Sequence, residues 1–227
     1  DYLAYADEIL DGFGLNSAIY FEFQGALDLA NLPDAYTTLT DPKATVQLVN
    51  VTADSPRYGK RVPVEFDLYE QGEDLYYLPN TLAVRPVFGS PMAEGETYCV
   101  VITRGVTDAE GKHLSVPEGF QSAWQDDVSL APLRDWLPES LLLEEDLAVA
   151  TCFTTSDATG DMRNIRAFLE DEPLPNITEI AYMGSTNTFH EFEGEYAAPN
   201  FQQGEKPYEY TGGDFVFDDD GNPVIQL

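Results

Sequence analysis

Basic side chains are scarce in this chain: 11 lysines and arginines stand against 41 aspartates and glutamates among 227 residues, a formal charge of −30. The phosphate backbone of a nucleic acid or an anionic membrane surface would be repelled by such a charge, which argues against both as partners. Histidine is rarer still, so any Ser-His-acid arrangement would have to use His113 or His190. His113 follows Gly111-Lys112 in a turn and reads as a surface residue, and His190 falls inside an alternating strand pattern; both read as structural. There is no Gly-x-Ser-x-Gly, no Gly-x-Gly-x-x-Gly, no Gly-x-x-x-x-Gly-Lys, no histidine pair and no Cys-x-x-Cys. The usual serine nucleophile elbow, dinucleotide and phosphate loops and zinc sites are thereby excluded, and no catalytic residue is assigned. With 41 acids, carboxylate pairs arise by coincidence and do not specify a glycosidase.

Long apolar runs are missing too. No stretch of about twenty apolar residues offers a membrane span, and no basic-then-apolar leader opens the chain. We expect either that a signal has been removed or that these residues begin inside a longer protein. The last strand signal stops on Leu227, which we read as a cut chain.

Two cysteines, Cys99 and Cys152, are too few for a disulfide scaffold. Each falls on the face of its strand opposite the expected core. If the two strands are antiparallel neighbours, the cysteines oppose one another; a cross-strand disulfide and two separately buried thiols both fit the sequence.

What is present is strand. Over 82–111, two apolar runs flank a turn built from Gly89, Ser90, Pro91 and Gly95, and Asp108-Ala-Glu-Gly111 makes a second turn. In the second run Tyr98, Val100 and Ile102 fall on one face and Cys99, Val101 and Thr103 on the other. Further strands are expected over 18–23, 46–51, 62–69, 81–87 and 147–155, with Pro63 marking an edge or a strand start. Helical spacing is seen over 1–10, again within 119–146 through Leu130, Leu133, Trp136 and Leu137, and over 159–170 through Met162, Ile165, Phe168 and Leu169. Beyond Asn176 the pattern is β again, at 177–183, 188–196 and in a hairpin over 214–227. The 13 tyrosines and 13 phenylalanines sit mostly in strand alternation and are expected in the core.

The hairpin turn Asp218-Asp219-Asp220-Gly221-Asn222 crowds hard oxygens that suit calcium, with Asp218, Asp219, Asp220 and Asn222 as ligands; a plain turn using Asp-Gly-Asn explains the same residues without a metal. No cofactor is required. The −30 charge likewise has two explanations, a solvated surface suited to salt or a set of calcium sites. Asn50-Val-Thr52 and Asn176-Ile-Thr178 match the glycosylation sequon.

Pro91-Met92, Glu94-Gly-Glu-Thr-Tyr98 and Gly105-Val-Thr-Asp-Ala-Glu-Gly-Lys112 resemble a region of the bacterial Ig-like domains found in secreted and cell-surface proteins. Gly12-Phe-Gly14, Ala18–Phe23, Gly25–Asp28, Phe153–Thr159, Pro199–Gln202, Gly204, Pro207-Tyr208 and Gly212-Gly213 resemble the N-terminal portion of secreted bacterial α/β-hydrolases of lipase type. The resemblance covers nearly the whole chain. It implies a mainly β fold: an Ig-like β-sandwich over 1–158 with a helical insertion at 119–146, then a connector helix and β-rich extension with a C-terminal hairpin over 159–227. It also implies a secreted or envelope location and a C-terminal hydrolase domain in the same parent chain as partner, with nucleophile, acid and histidine beyond Leu227. Exposed strand edges favour a different reading, a surface structural or adhesive module that associates with itself. A calcium-dependent carbohydrate-binding module is the third.

Overall fold

A computed structural model describes residues 10–71, 77–208 and 212–226. The helix expected over 1–10 therefore lies outside the described residues except for Leu10. The chain is mostly β, in several antiparallel sheets, and divides into two compact units, 1–158 and 159–227.

In the first unit the elements run β1 (Ile19–Glu22), α1 (Ala35–Thr40), β2 (Val46–Asn50), β3 (Arg61–Val62), β4 (Val64–Tyr69), β5 (Thr81–Pro86), β6 (Thr97–Thr103), α2 (Glu118–Asp126), α3 (Ala131–Trp136) and β7 (Leu147–Thr154). They build a three-stranded sheet in the order β1-β5-β4 and a four-stranded sheet in the order β3-β2-β6-β7. The strand expected over 62–69 is two strands in two different sheets: β3 pairs with β2, and β4 with β5. Pro63 stands at the break. It has no N–H to give a ladder, so the chain leaves one sheet there and enters the other.

Helix α1 was not foreseen, because half of its six residues are threonines, which favour strands. Asp34 starts it by accepting the Thr37 N–H at 2.7 Å. Thr38, fully buried, then takes the Val64 N–H at 3.1 Å on its hydroxyl. That bond fixes the first residue of β4, immediately after the crossover.

The two sheets share one core. Phe21 from β1, Val64 from β4 and Leu82 and Val84 from β5 form a single cluster with Val46 and Leu48 from β2 and Tyr98, Val100 and Ile102 from β6. The alternate residues of the four-stranded sheet do not face water. Val49, Cys99, Val101 and Ala150 pack instead against Trp124, Leu130, Leu133, Trp136 and Leu137 from the helical segment. Arg134 ties that segment together by donating to the Trp124 carbonyl at 2.9 Å. The helical excursion is thus a lid on the outer face of this sheet, and the face opposite the expected core is a second core. Sheets buried on both sides read as continuous apolar runs, as β6 does.

A carboxylate pins the loop beside this sheet. Glu96 accepts from the Asn50 amide, from Ser55 Oγ at 2.7 Å and from the Arg57 guanidinium at 3.2 Å. Asn50 is 1% exposed, so the first of the two sequons is buried structure. Tight approach explains Gly12 as well. Phe13 N–H donates to the Thr154 carbonyl at 2.9 Å and Ser156 N–H to the Phe13 carbonyl at 2.8 Å. A β-carbon on Gly12 would lie 2.6 Å from the Ser156 nitrogen.

In the second unit, α4 (Gly160–Asp171) is followed by β8 (Ile177–Ser185), β9 (His190–Tyr196), β10 (Gln202–Gly204) and β11 (Gly212–Phe215). β8 pairs with β9, and β10 with β11. Among the described residues the hairpin expected over 214–227 is short: β11 ladders with β10, Phe217 bridges Pro223 across the turn with Asp218 N–H donating to the Asn222 carbonyl at 2.9 Å and Val224 N–H to the Val216 carbonyl at 2.8 Å, and Asn200 bridges Gln226. The Val216 N–H, which would extend a ladder along that arm, donates instead to the Phe201 carbonyl at 3.0 Å.

Gly12→Ala is expected to lower the unfolding free energy by about 1–3 kcal/mol, the usual cost of overpacking against backbone. Urea titration checks it; unchanged stability would mean that the 12–14 segment is not held against β7.

Candidate functional site

The two cysteines meet. Cys99 and Cys152 are direct cross-strand partners in the β6–β7 ladder, with a Cα–Cα distance of 4.1 Å, and form a disulfide. Cys99 is fully buried, and Cys152 packs against the same outer cluster under the helical lid. The bond closes a loop with a sequence separation of 53. That separation corresponds to about 4 kcal/mol in the chain-entropy description.

The Asp218 turn is organised by its own hydrogen bonds. One oxygen of Asp218 accepts the Asp220 N–H at 3.0 Å and the Asn222 N–H at 2.8 Å, and the Asn222 amide reaches both oxygens of the carboxylate. These donors, Asn222 first, hold the Asp218 carboxyl below its ordinary range. Asp219 and Asp220 are exposed beside it. Among the described residues no three histidine, cysteine or carboxylate side chains are grouped so as to hold a metal ion. His113 is exposed on a turn, and His190 is exposed on β9.

The feature that stands out is the β8–β9 ribbon. Alternation along β9 puts Tyr196, Gly194, Phe192 and His190 on one face and Glu195, Glu193 and Glu191 on the other. Register carries the division onto β8: Ile177 lies opposite Tyr196, Tyr182 opposite Phe192, and Thr178 and Ala181 opposite Glu195 and Glu193. The register shifts between Thr178 and Ala181, where Glu179 has a positive φ of 53°. The shift turns Ile180 to the same side as Ile177, and the two close over Gly194, where a β-carbon would lie 3.1 Å from Ile177 and 3.5 Å from Ile180. Tyr182 stacks at an angle on Phe192, with ring centroids 5.4 Å apart.

Among the described residues nothing covers this apolar face. Ile177, Ile180, Phe192 and Tyr196 are each 63% exposed, and Tyr182 is 56% exposed. The expectation that the aromatics lie mainly in the core fails here, because a two-stranded ribbon has no second layer of its own to cover them. Taking roughly 200 Å² for each large side chain, the face presents on the order of 600 Å² of apolar surface. That is at the upper end for a monomer, and it approaches the ~800 Å² per partner of a standard interface. The alternation of Phe189-His-Glu-Phe-Glu-Gly-Glu-Tyr196 is visible in the sequence, but whether another layer covers the apolar side is not.

The chain matches no protein-family model, no curated protein and no solved structure.

Replacing Cys99 and Cys152 together by alanine is expected to lower the unfolding free energy by about 2–4 kcal/mol. Equilibrium urea denaturation reads this directly; a change below about 0.5 kcal/mol, within the range of neutral surface substitutions, would mean the bond constrains nothing that the ladder does not.

Proposed function

We propose that the chain is the non-catalytic N-terminal accessory region of a secreted or envelope bacterial hydrolase of lipase or esterase type, docked on its catalytic domain through the apolar face of the β8–β9 ribbon. The ribbon is the observation that carries this reading. A two-stranded ribbon is marginal in water by itself, and one with an exposed face of isoleucine and aromatic rings gains stability when another surface covers it. The quoted resemblance supplies the kind of domain that would do so. The three glutamates lie on the opposite face, so docking would not bury them.

The disulfide supports a secreted or periplasmic location, since such bonds persist in oxidising compartments. The first unit is read as an Ig-like sandwich. In favour of it are seven strands in antiparallel sheets of three and four around one shared cluster. Two features are particular to this chain. Its disulfide joins neighbouring strands of one sheet, where the antibody bridge spans two sheets, and β2 lies between β3 and β6, where the immunoglobulin order would place the second strand beside the first and fifth. No cofactor is assigned.

A second reading is favoured by the same ribbon. Among the described residues no third strand pairs with the outer edge of β8 or of β9, which suits strand addition between copies of a self-assembling or adhesive surface module. Intact mass and peptide mapping of the protein from its natural source separate the two. The hydrolase reading expects a mass well above 25.2 kDa, with peptides running past Leu227 into a Gly-x-Ser-x-Gly elbow. A mature protein ending at Leu227 would overturn it and favour self-assembly.

A further inference from the structure

We infer that the first unit carries a binding cleft for an apolar ligand bearing a single carboxylate, an acyl chain with a free acid head. A cavity of about 460 Å³ opens between the edge strands of the two sheets, lined by β1, by β7 and by the turn segment that follows β6. Its size falls within the ordinary range for small-molecule sites. The apolar wall belongs to the inner core: Phe21 and Leu27 are members of the shared cluster, and Phe23, Leu114 and Val149 pack against it. A ligand in this cleft would extend the core outward, which suits a hydrocarbon.

The rim is different. Lys112 and His113, side by side on the turn, both line the cleft and both are exposed. Among the described residues neither has an ion-pair partner. Lys112 is the one lysine that lines this cleft, in a chain with 11 lysines and arginines against 41 acids. Of the two carboxylates on the rim, Asp108 is turned into its own turn, where one oxygen accepts the Glu110 N–H at 3.0 Å and the Lys112 N–H at 2.9 Å. Glu22 is exposed and alternates away from the Phe21 side of β1. The turn is fixed in place by Asp28 N–H to the Thr107 carbonyl at 3.0 Å, Ala109 N–H to the Ala26 carbonyl at 2.9 Å and Leu114 N–H to the Val106 carbonyl at 3.1 Å. The Lys112 ammonium and the His113 ring are thus held at the mouth.

Charge selects the head group. The net charge of −30 opposes any anion in proportion to the anion's own charge, so a monoanionic carboxylate is favoured over a phosphate at the same lysine and histidine. The carboxylate gains charge-assisted hydrogen bonds from Lys112 and from His113. This inference is independent of the hydrolase reading, because the cleft is built entirely from residues of the first unit and would bind whether or not a catalytic domain follows.

Calorimetric titration of the protein with decanoate, decanol and decyl phosphate tests it. Saturable binding of one decanoate per chain is expected, with decanol weaker by about tenfold, the scale of one lost charge-assisted contact. In Lys112→Gln/His113→Gln, two exposed positions, decanoate should fall to the level of decanol while decanol is unchanged. Leu114→Trp, which fills the cleft, should abolish both. No saturable decanoate binding in the millimolar range overturns the proposal. So does equal binding of decanol, tighter binding of decyl phosphate, or decanoate binding that ignores the rim substitutions. Binding that survives Leu114→Trp in a protein that remains folded overturns it as well and places the ligand on the exposed ribbon.

Discussion

The pairing of β6 with β7 is the contact on which the first unit depends. β6 is central in its sheet, between β2 and β7, and its side chains serve two cores at once: Tyr98, Val100 and Ile102 toward the other sheet, Cys99 and Val101 toward the helical lid. The disulfide clasps this pairing at its outer face, under the lid. The long sequence between the two cysteines contains the 107–117 turn and all of α2 and α3, so the bond also closes the loop from which the lid is made. Burial of apolar surface on both faces supplies the driving force, and the covalent link limits how far the unfolded chain can stray.

The second unit is built on other terms. Its buried contacts are few, chiefly Ile165 on α4 and the edge-on pair of Phe168 with Phe201, whose ring centroids are 5.7 Å apart. The apolar side chains of β8–β9 are exposed. Sixty-nine residues with so small a core are marginal alone.

Much of the fold is legible in the sequence because strands announce themselves by period two. Val64, Phe66 and Leu68 alternate with Glu65 and Asp67, and each run of this kind lies in a strand. Three things are not legible. The change of sheet at Pro63 depends on which partner each half finds, and a proline signals only that the ladder breaks. Helix α1 is hidden by its threonines and rests on the Asp34 cap and the tertiary bond from Val64. The outer face of β6 reads as the side away from the core, because nothing local says that residues 118–146 return to cover it. For the site, the alternation of β9 is plain, yet exposure is a property of what lies above a face. The sequence leaves both pairings of the cysteines open, since the neighbour relation of β6 and β7 is long-range.

Native-state hydrogen exchange followed residue by residue tests most directly whether the twice-covered β2-β6-β7 sheet is the organising core and the ribbon an uncovered surface. Amides of β6 and its two neighbours should exchange only through global unfolding, while those of β8 and β9 exchange orders of magnitude faster through local opening. Equal protection of β8–β9 and β6 in the same protein at low concentration would contradict this, and would show that the ribbon is already part of one cooperative core.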